Sequence, residues 1–491
     1  MDKAFLSRFI RGVVSSGVGT FSQSILGFVS LMIAVRYVSK EAFGVFVLIQ
    51  VIASFFSALS SLALENIAVT KFIASVEEER KAQIANTAFG YKLLLGLILG
   101  IIILPCRPLV ALVFKSEDLT RLLIFVPLTF ILTSFNDFLL KVMQGFHQYK
   151  KMAISQLIQG AVKCGLTVLL LVYFKAGILG IIYAFLIGSA ASIVYQYWVV
   201  PIRKRLNFDR RLFVEMFRFG FPLGLNSLLT FGFMRIGRLM IGALINPVGV
   251  ANYEVGSRLP ENSGQMFQSF WSVFFPNMSE LCAKKRYAEA EKVLNNSLRL
   301  VTFITLFGAL VALLFQKQIV RILFSAKYLE SAPVLSILMI SLSIGLVGNI
   351  LGSTLVSMGQ SDKPVKINIV DFVVSITGNL VLIPIFGFMG AAYAALLSRC
   401  ATNPLNAWFV KKSHLRLEIS QYLKPLATFG VVGLIVVLAK PDSFWMKAAL
   451  MGLFLIGSAL LSIIKKKDFF AIFESLKHSP NAVEQGESRL V

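Results

Sequence analysis

The chain has 491 residues, of which 56% are hydrophobic and only 15% charged, with a mean hydropathy of +0.77. A water-soluble fold of this length has too little interior to hide that much apolar surface, so composition excludes a soluble enzyme or regulator. The net charge of +23 would suit nucleic acid if it formed one basic surface, but the basic residues sit in short segments between apolar runs, and no nucleic-acid partner is expected.

Fourteen apolar stretches predict an all-α polytopic membrane protein. They fall near 12–35, 42–64, 84–105, 120–140, 152–174, 177–200, 212–234, 238–275, 297–316, 332–356, 366–386, 388–410, 423–439 and 444–464. The first is too long for a signal peptide and lacks a small-residue cleavage site, so it reads as a span. With the N-terminus in the cytoplasm, most of the 48 Lys and Arg fall on the cytoplasmic side. An even number of spans then puts both termini there, in a cytoplasmic membrane, with anionic lipid as a contact.

The first span carries Ser15, Gly19, Ser22, Gln23, Gly27 and Ser30 on one side and ends at the interfacial pair Arg36-Tyr37. The second has a polar stripe of Gln50, Ser54, Ser57, Ser61 and Glu65. Small residues of this kind let helices pack closely, so the serines fit packing as well as cavity lining. Lys92 lies near the start of span three and is expected to snorkel to the interface. Asn136 and Asp137 end span four, with Lys141 one turn on as an ion-pair partner. Span five places Gln156, Gln159, Lys163 and Thr167 on one face, and Lys163, near mid-membrane, requires a partner or water.

Residues 201–218, including PIRKRLNFDRRLF, form a basic amphipathic connector suited to the lipid surface. It divides an N-terminal bundle of six spans (1–200) from a second (219–410). Two further spans occupy 411–464, and 465–491 reads as a polar cytoplasmic tail. The halves echo one another: Gly145 matches Gly359, and Gly180-Ile-Ile-Tyr183-Ala184 matches Gly390-Ala-Ala-Tyr393-Ala394. A weak six-plus-six repeat of equal orientation suits a transporter whose halves move about a central site.

The most informative stretch is 222–276, two helices joined by an Asn-Pro turn. The first holds Asn226, Ser227, Thr230, Arg235 and Arg238. The second carries Glu254, Arg258, Glu261, Gln265, Gln268 and Ser272, spaced by three and four residues, so the six share one helical face. Such a seam must face protein or a water-filled cavity. Spacing alone leaves two readings open, an internal ion pair that pins helices together and the charged wall of a transport cavity. Farther on, Asp371 and Arg399 lie within spans eleven and twelve.

Several chemistries lack residues. The sequence has no phosphate-binding Gly-rich loop ending in Gly-Lys-Ser/Thr, no metal-ligand spacing and no nucleophile set outside the apolar runs. No cofactor is expected, and the chain does not read as an enzyme. Cations inside or near helices (Lys92, Lys163, Arg235, Arg238, Arg258, Arg399) exceed the acidic groups at depth (Glu65, Glu254, Glu261, Asp371). A cationic surplus favours an anionic substrate, phosphate above all, because guanidinium groups match phosphate oxygens.

Four segments carry a family resemblance: FSQSILGFVSLMIAVRYVSKEAFGVF from Phe21, the run from Phe221-Pro222 to Arg238-Leu-Met-Ile-Gly242, ANYEVGSRL from Ala251, and LIPIFGFMGAAYA from Leu382. Together they resemble the polysaccharide transporter family, the Wzx-type lipid-linked oligosaccharide or O-antigen flippases of the MOP exporter superfamily. That resemblance implies two pseudo-symmetric six-helix bundles around a V-shaped cavity, lined by spans one, two, seven and eight, plus two C-terminal helices. SRLPENSG, from Ser257, is also similar to a segment of the lipid II flippases, which implies a substrate phosphate contact for Arg258. Two departures matter. Gly237 stands where many members carry an acidic residue, and Ser30 where lipid II flippases carry Arg, which argues against lipid II as substrate.

The expected function is therefore export of a polyprenyl-pyrophosphate-linked oligosaccharide by alternating access. Arg258, Lys163, Arg235, Arg238 and Arg399, with Gln50, Asn226 and Gln265, are the expected substrate contacts. Glu65, Glu254, Glu261 and Asp371 are the candidates for proton or sodium coupling. Polysaccharide polymerase and chain-length proteins are expected partners. The alternatives are a multidrug or small-molecule cation antiporter of the same superfamily and, with less support, a membrane-embedded polymerase or ligase.

Overall fold

The structure is a computed structural model that describes residues 3–461, apart from 65, 106, 115, 201–207, 414, 440 and 442. Glu65, residues 201–207 of the basic connector and the whole tail 465–491 lie outside the described residues, as does the side chain of Asn226. The described chain is helical nearly throughout. In order it runs α1 (Lys3–Tyr37), α2 (Lys40–Ala63), α3 (Asn66–Ala74), α4 (Glu78–Ile103), α5 (Arg107–Phe114), α6 (Glu117–Leu122), α7 (Phe125–Gly145), α8 (Tyr149–Val168) and α9 (Gly177–Val199). It continues with α10 (Arg210–Leu244), α11 (Pro247–Met266), α12 (Gln268–Ala283), α13 (Tyr287–Leu323), α14 (Ala332–Ser357), α15 (Asp362–Phe386), α16 (Met389–Lys411), α17 (Ser420–Ala439) and α18 (Phe444–Leu460).

Among the described residues, 11 helices are long and apolar enough to cross a membrane. The other three expected spans are present as helices but miss on composition or length. α11 carries Glu254, Arg258 and Glu261. α16 carries Arg399 and two asparagines. α18 has 17 residues. Outward faces bear large apolar side chains such as Leu97, Ile101, Leu438 and Trp445, the surface a bilayer rather than water accommodates.

As expected, Arg238 belongs to the helix before the Asn-Pro turn, α10, and α11 opens at Pro247; the expected single long helix after that turn, to 275, is instead divided into α11 and α12. At the turn the Asn246 side chain accepts from Gly249 N at 2.8 Å, while Pro247 opens α11 at the position where its missing N–H costs nothing. Pro260 then removes a backbone donor within α11. At Phe267 the ladder tightens, its N–H donating to Gly264 O at 3.2 Å. A new helix starts at Gln268, so the seam of α11 ends before it, and the Ser272 side chain lies outside the described residues.

The helices gather into two compact units. Unit 1 comprises Met1–Arg258, Ile319–Ser331 and Phe372–Ala394, and unit 2 comprises Leu259–Gln318, Ala332–Asp371 and Ala395–Val491. In unit 1, α8 packs along α1 and α9, and α2 packs against α10 and α7. Unit 2 has a core of Phe274, Met278, Leu294, Leu298, Ile350, Leu351 and Val410.

The segment 319–331 is held in unit 1 by reciprocal capping. Arg36 donates from Nε to Phe324 O at 3.0 Å and from Nη2 to Ile322 O at 2.5 Å, satisfying carbonyls at the end of α13. Lys327 Nζ donates to Val38 O at 2.5 Å, just beyond the end of α1. Glu330 takes Lys40 and Asn252, each at 3.0 Å. Arg36, expected at a lipid interface, is thus a cap on a helix nearly 300 residues away in sequence.

Close approach of α2 to the start of α11 depends on Gly44, where a Cβ would lie 1.8 Å from Pro247 O. Gly44→Ala is expected to cost at least about 1–3 kcal/mol, because backbone must move. Thermal unfolding in detergent checks this. Gly27→Ala serves as control, since its Cβ would meet nothing within 4 Å.

Candidate functional site

The charged residues gather around Glu254, which is 1% exposed. Arg238 of α10, equally buried, donates from Nε to Glu254 Oε2 at 2.5 Å. Its Nη2 donates to Ser257 Oγ at 3.0 Å and its Nη1 to Met234 O at 3.1 Å, and the guanidinium lies 5.6 Å from the Tyr253 ring centroid. Arg258 forms an i,i+4 ion pair with the other Glu254 oxygen. Its side chain remains 28% exposed. The carboxylate therefore holds one wholly buried arginine and one that reaches the surface of the unit.

Two further cations join electrostatically. Arg235 acts on Glu254, and Lys163 of α8 feels the charge of Arg258. Lys163 is half-buried and packs with Nζ 5.4 Å from the Phe185 ring centroid. Three arginines thus act on the Glu254 carboxylate within unit 1, and Lys163 lies close enough to Arg258 to feel its charge. Arg258, Lys163 and Arg235 are not fully buried.

The remaining expected residues lie elsewhere. Asp371 and Arg399 form a separate cluster in unit 2, with Arg399 Nη1 3.2 Å from Asp371 Oδ2 and the Ser398 hydroxyl donating to the other carboxylate oxygen. Glu261 and Gln265 fall on the unit 2 part of α11, half-buried and exposed respectively. Gln50 is half-buried on α2, and its carbonyl accepts from Ser54 Oγ at 2.7 Å.

Two features of unit 1 depart from expectation. Lys92 does not snorkel: it is 1% exposed and its Nζ donates to Ser60 Oγ at 2.9 Å, with Asp137 as an electrostatic neighbour. The buried Ser60 hydroxyl gives the ammonium a partner that a lipid interface would otherwise supply. Second, a neutral network fills the packing of α7, α8 and α9. Gln196 Nε2 donates to Asn136 Oδ1 at 2.9 Å and to Ser155 Oγ at 2.7 Å, and Ser192 Oγ donates to Asn136 at 2.9 Å. Asn136, interfacial by its place in the sequence, is buried here. The spacing of Ser189, Ser192 and Gln196 by three and four residues is the signal that could have revealed the network.

A family model described as "Polysaccharide biosynthesis protein" matches residues 33–333. Among curated proteins, the chain is 28% identical over 174 residues to "Probable low-salt glycan biosynthesis flippase Agl15" of Haloferax volcanii, covering 35% of this chain and 36% of that protein. It is 23% identical over 429 residues to "Lipopolysaccharide biosynthesis protein WzxC" of Escherichia coli, covering 85% and 84%. The first two curated relatives are matched over only 36% and 53% of their own length. Among solved structures, "Lipid II flippase MurJ, inward closed conformation" superposes with a TM-score of 0.74 at 16% identity, over 93% of this chain and all of that one. An inward-facing multidrug resistance MATE family transporter of the MOP superfamily gives 0.64 at 15% identity, over 82% and 98%. These likenesses establish the fold.

Proposed function

The chain belongs to the polysaccharide biosynthesis protein family, and on that premise we propose that it is a flippase for a polyprenyl-pyrophosphate-linked oligosaccharide in the bacterial cytoplasmic membrane, with both termini cytoplasmic. The observation that carries this reading is the group of Arg235, Arg238 and Arg258 that acts on the buried Glu254 carboxylate, with Lys163 close enough to Arg258 to feel its charge. Its surplus charge matches a pyrophosphate, which needs several cations to leave water. In this account Arg238 and Glu254 form the fixed base. Arg258, partly exposed and held by Glu254, meets the phosphate with Lys163 and Arg235.

Alternating access by rocking of the two six-span halves would move the bound headgroup across the membrane while the polyprenyl chain stays in lipid. Glu254 is held by two arginines and is less suited to ion coupling than Asp371, which pairs with Arg399; Asp371, Glu261 and Glu65 are the candidates, by proton or sodium. Polymerase and chain-length proteins would act on the exported unit.

The test is an analysis of carrier-linked sugars in cells lacking this protein. A complete lipid-linked oligosaccharide should accumulate on the cytoplasmic leaflet. Unchanged lipids together with unchanged surface polymer would overturn the reading and favour a small-molecule exporter.

A further inference from the structure

Unit 2 contains a cavity of about 370 Å³ that the phosphate site leaves unused, a volume within the range of small-molecule sites. Its polar wall consists of Asn349, Asn368, Asn403 and Asn406 with Asp371 and Arg399, and Trp271 and Phe275 of α12 also line it. Glycines of α14 make the room. A Cβ at Gly348 would lie 2.3 Å from Asn403 Oδ1, and one at Gly345 3.2 Å from Arg399 Nε. The polar face of α16 at 399, 403 and 406 therefore sits against a helix carved to receive it.

The amides and charges are pinned. Asn403 Nδ2 donates to Ile344 O at 2.6 Å and Asn406 Nδ2 to Thr402 O at 3.3 Å. Asp371 is engaged by Ser398 and Arg399, so the ion pair is neutral in sum. This chemistry disfavours three ligand classes. A free cation finds its carboxylate already taken. An anion finds more positive charge in unit 1. An apolar ligand would strip water from four amides without replacing it. What remains is a neutral ligand rich in hydroxyls: each amide offers both donor and acceptor, and the flat rings of Trp271 and Phe275 suit the C–H face of a pyranose.

We propose that this cavity is a saccharide subsite, which takes sugar residues of the transported headgroup by their hydroxyls. The inference rests on the flippase reading and adds to it a location for sugar recognition, separate in composition from the phosphate cluster. It assigns Asn349 and Asn368, both exposed to the opening of the cavity, as sugar contacts.

The experiment uses full-length protein in lipid nanodiscs and two probes. One is the free oligosaccharide released by mild acid from the carrier lipid that accumulates without this protein. The other is inorganic pyrophosphate. Asn349→Leu and Asn368→Leu are each expected to weaken oligosaccharide binding by about tenfold or more, the effect of leaving a ligand hydroxyl unpaired, with pyrophosphate binding within about twofold of wild type. Arg258→Ala should show the reverse pattern, and Asn368→Gln should recover part of the sugar affinity. Thermal unfolding confirms that each variant is folded. Wild-type sugar affinity in both Leu variants, or no oligosaccharide binding by the wild type, would overturn the subsite and leave the flippase reading standing. Absence of any accumulating carrier-linked oligosaccharide would overturn both together.

Discussion

Glu254→Ala is expected to destabilise the folded protein by about 3–5 kcal/mol, the cost of breaking a buried ion pair from one side. Glu254 is 1% exposed and serves Arg238 and Arg258 at once. Removing it takes away the carboxylate that accepts from the buried Arg238 guanidinium, which also donates to Ser257 Oγ and Met234 O. Breaking a buried ion pair from one side costs more than removing the pair as a whole. A double replacement, Glu254→Ala with Arg238→Met, should therefore recover much of the stability that the single change loses. Thermal unfolding in a defined detergent reads both effects. A single variant as stable as wild type would show that Glu254 is no structural counter-ion, and ion coupling would return as its expected role.

Arg258→Ala is expected to behave in the opposite way, with a near-native fold and failed transport. The Arg258 side chain is 28% exposed and pairs with Glu254 along the same helix. Such pairs contribute about 0–1 kcal/mol, and Arg238 still neutralises Glu254 when Arg258 is gone. On the proposed function, the variant would lose a charge-assisted contact to the substrate phosphate, worth about 1.5–3 kcal/mol. Transport should fall by at least about 10–100-fold at native expression. Arg258→Lys should recover part of it, since the charge persists but the two-pronged fit to phosphate does not. Export at the wild-type rate in Arg258→Ala would remove this residue from the mechanism.

The helices are legible in the sequence because a bilayer leaves so few options. Backbone polar groups in lipid must be satisfied within the segment, so apolar runs of span length become helices; the expected runs fall on helices in the structure except the eighth, 238–275, which is divided among α10, α11 and α12. Periodicity also places Glu254 and Arg258 on one face, and the structure pairs them. It cannot report what lies opposite. By sequence Arg238 is a peer of Arg258, yet burial and Ser257 make it a support for Glu254. Lys92 points to the interface in sequence because its partner Ser60 lies on another helix, 32 residues earlier. The break at Phe267 is hidden as well, since Gly264 and Pro260 weaken a helix without fixing where it ends. Likewise, Gly345 and Gly348 become informative only once α16 supplies Arg399 and Asn403 against them.

The most direct measurement of the central claim is flipping by the purified protein. Vesicles containing it, loaded symmetrically with the carrier-linked oligosaccharide and then given a sugar-cleaving enzyme outside only, report how much lipid reaches the outer leaflet. Wild-type vesicles should expose nearly all of the substrate in minutes, and Arg258→Ala vesicles no more than the half already facing outward. Equal exposure from wild-type, Arg258→Ala and protein-free vesicles would contradict the account.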